Sequence, residues 1–166
     1  MIINRNISEK VIGIILITWS CIKLYYTSSN LINIFEISDL SWEEVSIFKV
    51  VKNYHFQYII PILSIVSGLL LILNKRVGWI GSTVMSFVTG IGIIILSWKL
   101  YNAEGNSIEI TISDFLLPSF LTVLFLIIGL VLLSKVYREE YLPTKNTWII
   151  MILTIIILCV YSILIN

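Results

Sequence analysis

Four long apolar runs without a charged residue limit what this chain can fold into: 56–73, 77–98, 115–134 and 147–165. A helix needs about 20 predominantly apolar residues to cross the hydrocarbon core of a bilayer. The second run would reach about 33 Å at a rise of 1.5 Å per residue. The four runs therefore predict an all-α integral membrane protein and argue against a soluble domain.

A further span is predicted near the N-terminus, at about residues 7–26. Its uncharged centre is short, so Lys10 and Lys23 must extend toward opposite headgroup layers. The run also has the outline of a secretory signal, but Trp19 stands where a lipoprotein signal needs a small or aliphatic residue before Cys21. We therefore predict that this helix is retained. The chain then has about five transmembrane helices in a single polytopic membrane domain, 1–166.

The composition agrees with a lipid environment. Hydrophobic residues make up 58% of the chain and charged residues 13%, against roughly 45–50% and about 25% in soluble domains. Mean hydropathy is +0.98. The net charge of +1 offers no basic surface for nucleic acid, so the predicted partners are the lipid bilayer and membrane proteins, including further copies of this chain. Frequent Ile, Asn and Lys suggest a bacterial source, hence the bacterial cytoplasmic membrane.

The basic residues predict a cytoplasmic N-terminus and an outer C-terminus, because cytoplasmic loops carry an excess of Lys and Arg. With five spans, seven basic residues lie inside (Arg5, Lys10, Lys75, Arg76, Lys135, Arg138 and Lys145) and four outside (Lys23, Lys49, Lys52 and Lys99). This topology leaves an inner loop at 135–146, an outer loop at 99–114 and an outer interfacial segment at 27–55.

An extracytoplasmic amphipathic helix is predicted between spans 1 and 2. A Ser-Trp-Glu-Glu stretch has the spacing of a capping box, so this helix should begin at Trp42. Further along, Tyr54 lies on an apolar face and Lys49 and Lys52 on a polar one, as in helices that lie in the membrane interface. His55, the single histidine, then marks the entry to the second span, and no HExxH spacing surrounds it.

Small residues recur every four positions on two of the predicted spans. They are Ser64 and Gly68 on the second span and Gly78, Ser82, Ser86 and Gly90 on the third. Four-residue steps keep side chains on one helix face, and small side chains let a neighbouring backbone approach closely in lipid. We predict a helix-packing surface, most simply within one subunit. The alternatives are an oligomer interface and a pore lined by the third span, with Thr83 and Thr89 contributing.

Groups that carry chemistry are scarce. The centre of every predicted span lacks Asp, Glu, Lys, Arg and His, the residues that usually mark proton relays, ion pathways and substrate sites in membranes. Cys21 and Cys159 do not form a CxxC pair, and no GxSxG elbow is present. We therefore predict no catalytic, metal-binding or cofactor-binding residues and no enzymatic activity.

The outer loop carries one pattern that is not helical. Ile108, Ile110 and Ile112 alternate with polar residues, which is the periodicity of a short β-strand. Asp114 follows and is placed to cap the fourth span.

Two strings, TWSCIKLYY (18–26) and YIIPILSIVSGLLLILNKRVGW (58–79), resemble small bacterial polytopic proteins of the DoxX or MauE type. The resemblance implies a small polytopic membrane protein, usually of four spans. The chain departs from that group in its fifth predicted span and in lacking the cysteine pair that some members carry. No functional residue is transferred from the resemblance.

Three functions are compatible with these patterns. The first is a non-enzymatic polytopic membrane subunit that acts through helix packing or oligomerisation as a structural, accessory or regulatory component of a membrane complex. The second is a small oligomeric channel or pore-forming effector. The third is a membrane enzyme acting on thiols, quinones or lipids, whose thiol version would need Cys21 and Cys159.

Overall fold

The computed structural model describes residues 5–37, 47–103 and 112–165, with side chains described for 6–33, 54–98 and 116–163. Six helices follow one another in these ranges. They are α1 (Arg5–Ile37), α2 (Ile47–Ile72), α3 (Arg76–Ala103), α4 (Ile112–Leu132), α5 (Lys135–Tyr141) and α6 (Lys145–Ile165). The predicted all-α class is confirmed.

Three of the described helices are long and apolar enough to cross a membrane. The qualifying segments are Tyr54–Ile72 in α2, Arg76–Trp98 in α3 and Lys145–Ile163 in α6. A fourth results if Leu116–Leu132 and Lys135–Tyr141 form one span, although these two helices are bent by 51°. The prediction of transmembrane helices is thereby confirmed, with three or four candidates among the described residues.

Helix α1 differs from the predicted first span. It has 33 residues and ends at Ile37, well beyond residue 26, and it is not among the candidate spans. Its apolar run is short and is bordered by Glu9, Lys10 and Lys23. The helix continues past this run because neither glycine nor proline occurs between 14 and 37.

Helix α2 runs without a break from Ile47 to Ile72. The described part of the predicted amphipathic helix and the second span therefore form one helix, because no glycine or proline separates them before Pro61. The predicted start at Trp42 lies outside the described residues. Lys49 and Lys52 belong to the backbone of α2.

The predicted loops on either side of the fourth span are partly helical. The first residues of the predicted outer loop, 99–114, belong to α3, which ends at Ala103. Its last residues belong to α4, which begins at Ile112. Ile112 is thus the first residue of a helix and does not belong to a strand, while Ile108 and Ile110 lie outside the described residues. The inner loop, 135–146, contains all of α5.

Two compact units make up the chain, 1–78 and 79–166. In the first unit, α1 and α2 pack antiparallel. A Cβ atom added to Gly13 would lie 2.7 Å from the carbonyl oxygen of Gly68. Fifteen residues further along α1, Ser28 Oγ lies 3.3 Å from Tyr58 Oη. The two backbones therefore touch where glycine faces glycine.

The first unit ends in a tight turn after α2. The amide of Asn74 donates to the carbonyl of Leu71, and the amide of Lys75 donates to that of Leu70, both at 2.9 Å. Asn74 has a φ of 55°. These bonds form a Schellman motif, in which asparagine supplies the left-handed residue more often than most side chains do. The chain then enters α3 at Arg76.

In the second unit, α3 and α4 meet through two glycines. A Cβ atom on Gly90 would lie 3.1 Å from Leu126 Cδ2, and one on Gly129 would lie 2.8 Å from the ring of Phe87. The short helix α5 follows α4 and buries Tyr137 and Tyr141. Helix α6 exposes most of its apolar residues and buries Thr147, Met151 and Ser162.

Candidate functional site: the small-residue faces

The small-residue face of α3 is fully buried. Gly78 packs on the backbone of Leu70 and Leu71, where an added Cβ would also lie 2.6 Å from the carbonyl oxygen of Leu70. Ser82 and Ser86 are inaccessible to solvent. Gly90, at the other end, faces Leu126 of α4. All four predicted residues thus lie in packed surroundings within the chain, while their part in an oligomer interface stays a prediction.

Hydroxyl groups on α3 bond to the helix backbone. Ser86 Oγ donates to the carbonyl of Ser82 at 2.7 Å, and Thr83 Oγ1 donates to that of Trp79 at 2.8 Å. These i to i−4 bonds satisfy a buried hydroxyl without a second helix. Thr89, which the pore hypothesis placed beside them, is half-buried. The hydroxyls of Thr83 and Ser86 are therefore buried and bonded within α3.

The corresponding face of α2 packs against α1. Gly68 faces Gly13 and Leu16, and a Cβ atom on Gly68 would lie 2.9 Å from the carbonyl oxygen of Gly13. Ser64, one turn earlier, is also buried. Its Oγ has no hydrogen-bond partner among the residues that the structure describes, in contrast to the hydroxyls of Thr83 and Ser86.

The residues predicted for the interfacial helix are only partly described. Trp42 lies outside the described residues, and nothing is stated of the side chains of Lys49 and Lys52. Tyr54 and His55 are half-buried and lie in the third turn of α2. The interfacial role of all five residues remains a prediction.

An aromatic cluster, which we did not predict from the sequence, packs at the C-terminal end of α4. The indole Nε1 of Trp79 donates to the carbonyl of Leu132 at 2.7 Å. The Trp79 ring stacks on Tyr141, with centroids 5.5 Å apart, and meets Trp148 edge-on at 6.3 Å. Leu132 is the last residue of α4, so its carbonyl has no partner within the helix. Trp79 satisfies that carbonyl and links α3, α4, α5 and α6.

Glu9 is a second residue that the sequence analysis did not single out. It is fully buried and shares the face of α1 that carries Gly13 and Leu16. A buried carboxyl is unusual. Residues 9, 13, 16 and 20 recur on one helix face, which could have suggested that Glu9 is buried with the others. The spacing alone does not show which face of α1 packs against another helix.

Sites with recognisable chemistry are few in the described ranges. Cys21 and Cys159 are both free thiols. No group of three His, Cys, Asp or Glu side chains within 5–37, 47–103 and 112–165 is arranged to hold a metal ion. A shallow apolar groove of about 340 Å³ on α6 is lined by Ile156, Ile157, Val160 and Tyr161. It presents no polar group to a ligand.

Comparison of the chain with protein-family models, with curated proteins and with solved structures finds no match. The resemblance of residues 18–26 and 58–79 to the DoxX and MauE type gains no support from these comparisons. The function must therefore be argued from the packing and the exposed surface of the chain itself.

Proposed function

We propose that this protein is a non-enzymatic, multi-pass membrane subunit that acts through contacts between helices. The main support for the proposal is that its small and hydroxyl-bearing residues lie in helix-packing contacts. Gly13, Gly68, Gly78 and Gly90 each bring a neighbouring chain segment into close contact, and Ser86 bonds to its own helix. Such residues are the main means of helix association in lipid.

We further propose five spans with the N-terminus in the cytoplasm. Helix α1 follows α2 over a long distance, which supports this arrangement. Gly13 faces Ile72, and Ser28 contacts Tyr58, so α1 accompanies almost the whole candidate span Tyr54–Ile72. If α2 crosses the bilayer, α1 must cross it beside α2. Lys75 and Arg76 then lie on the N-terminal side of the membrane, as the positive-inside rule requires.

The surface available to partners is apolar. Helix α6 is the least buried of the three candidate spans and exposes Ile149, Ile150, Ile156 and Ile157. In a membrane, such a surface meets lipid tails or other membrane helices. A subunit of a bacterial cytoplasmic membrane complex would present this surface to its own copies or to other proteins.

Site-specific photocrosslinking in native membranes tests the proposal. A photoreactive residue at Ile150 or Ile157, both exposed on α6, should form adducts with a protein that also copurifies at a fixed stoichiometry. Met151 is buried and provides the matched control, which should react within the chain. Lipid adducts at both exposed positions, together with a monomer in native mass spectrometry, would contradict the subunit role. Ion flux through liposomes that contain the purified protein would favour the pore alternative.

A further inference from the structure

The packed face between α1 and α2 includes small, apolar and hydroxyl-bearing residues. Near the cytoplasmic end assigned above, Leu16 and Leu71 are fully buried and Gly13 touches Gly68. From Ser20 toward the C-terminal end of α1, several residues in or beside the contact carry hydroxyl or amino groups: Ser20, Lys23 and Ser28 on α1, and Ser64 and Tyr58 on α2. Buried polar side chains also occur at the Gly13 end, where Glu9 is fully buried.

The pairing of the two helices sets Ser20 level with Ser64. Gly68 contacts Leu16 and Ile17 of α1, and Tyr58 contacts Ser28. In an antiparallel pair, a step forward along one helix corresponds to a step back along the other. Ser64, four residues before Gly68, therefore lies opposite residues 20 and 21. Of these two, Ser20 is buried and Cys21 is exposed.

Ser64 lies in the middle of the candidate span, as the eleventh of the 19 residues in Tyr54–Ile72. It is 2% exposed and Ser20 is 1% exposed. Within the described part of the chain, Ser64 Oγ makes no hydrogen bond. Removing a hydroxyl from water without a compensating hydrogen bond is unfavourable. A hydroxyl buried at mid-membrane depth therefore needs a hydrogen-bond partner.

We infer that Ser20 and Ser64 bind a water molecule between α1 and α2. Water supplies both the donor and the acceptor that two facing hydroxyls require, and buried waters usually make two to four such bonds. The Gly13–Gly68 contact closes the site toward the cytoplasm. Lys23, whose Nζ lies 5.7 Å from the Trp19 ring centroid, and the Ser28–Tyr58 pair lie on the outward side. This site does not depend on the proposed subunit role.

Thermal unfolding of the full chain in lipid nanodiscs is the first test, with Ser64→Ala as the variant. If a water bonds to Ser64, the substitution removes one of its bonds and should lower Tm by about 2–4 °C, the shift that roughly 1 kcal/mol produces in a protein of this size. If the hydroxyl is dry and unsatisfied, its removal should leave Tm unchanged or raise it. Either of these last results overturns the inference.

Ser86→Ala is the matched control, because Ser86 is equally buried and bonds to its own helix. Its loss should move Tm less than the loss of Ser64 does. The second readout is water-edited NMR of the unmodified protein. Polarisation should pass from water to the amides of Ser20 and Ser64 and not to that of Ser86. Absence of transfer at Ser64 overturns the inference even if Tm falls, because a direct bond between Ser20 and Ser64 would then explain the stability.

Discussion

Gly78 has no space for a side chain, because the backbone of Leu70 and Leu71 occupies the place of its Cβ. We expect Gly78→Ala to push α3 away from the end of α2 and to destabilise the fold by about 1–3 kcal/mol or more, the usual range for an overpacked site. Tm in detergent or nanodiscs measures the effect.

Gly92→Ala is the matched control on the same helix, since a Cβ there would meet no atom within 4 Å. Alanine favours a helix over glycine by about 1 kcal/mol, so this variant should be neutral or slightly more stable. Equal losses from both substitutions would show that helix α3 itself, and not the contact at Gly78, is sensitive to change.

Leu142 adopts a left-handed conformation with a φ of 42° directly after α5. A non-glycine residue pays roughly 1–2 kcal/mol for this conformation, and its exposed side chain contributes little packing. Leu142→Gly should therefore raise the free energy of unfolding by about 1 kcal/mol, measured by thermal or chemical unfolding. Leu142→Ala keeps the strained φ and should bring no gain; a gain from alanine as large as that from glycine would mean that the side chain, not the backbone, is responsible.

At the scale of the elements, Trp79 stabilises the C-terminal end of α4. Trp79→Phe keeps a ring against Tyr141 but removes the donor to the Leu132 carbonyl. A buried acceptor left without its donor costs about 1–3 kcal/mol, so Tm should fall. Faster deuterium exchange in α5 than in α2 should accompany the loss.

Trp98→Phe controls for the removal of an indole as such, because Trp98 is 66% exposed and has no comparable burial to lose. If both variants shift Tm equally, the bond between Trp79 and Leu132 does not hold the end of α4.

The parts of the fold that follow from local spacing could be predicted from the sequence. Gly78 and Gly90 recur at four-residue steps, and both lie in close packing contacts. The burial of Glu9 and the bond from Trp79 to Leu132 could not be predicted, because each depends on residues far away in the chain. The predicted first span was also shorter than α1, because hydropathy indicates which part of a helix contacts lipid. It does not indicate where the backbone hydrogen bonds of the helix end.

At the scale of the whole molecule, the proposed five-span arrangement predicts which side of the membrane each connection between helices faces. Single cysteines at Asn6, Lys75 and Arg138, placed in a chain lacking Cys21 and Cys159, should all react with a membrane-impermeant thiol reagent from the cytoplasmic side. In that arrangement, two spans separate Lys75 from Arg138, and α1 and α2 cross the bilayer in opposite directions. Labelling of intact cells and of inverted vesicles distinguishes the sides.

Asn33→Cys, near the other end of α1, should react from the outer side and serves as the control for orientation. Should the cysteine at position 6 react from the side opposite to the one at position 75, α1 does not cross the membrane and the five-span arrangement is wrong.

The turn after α2 also bears on how the chain enters a membrane during synthesis. Three residues, 73–75, separate α2 from α3 and reach about 10 Å when fully extended. That distance is too short for α2 to enter the lipid while α3 is still held in the insertion machinery. If both helices cross the bilayer, we expect the insertion machinery to release α2 and α3 together.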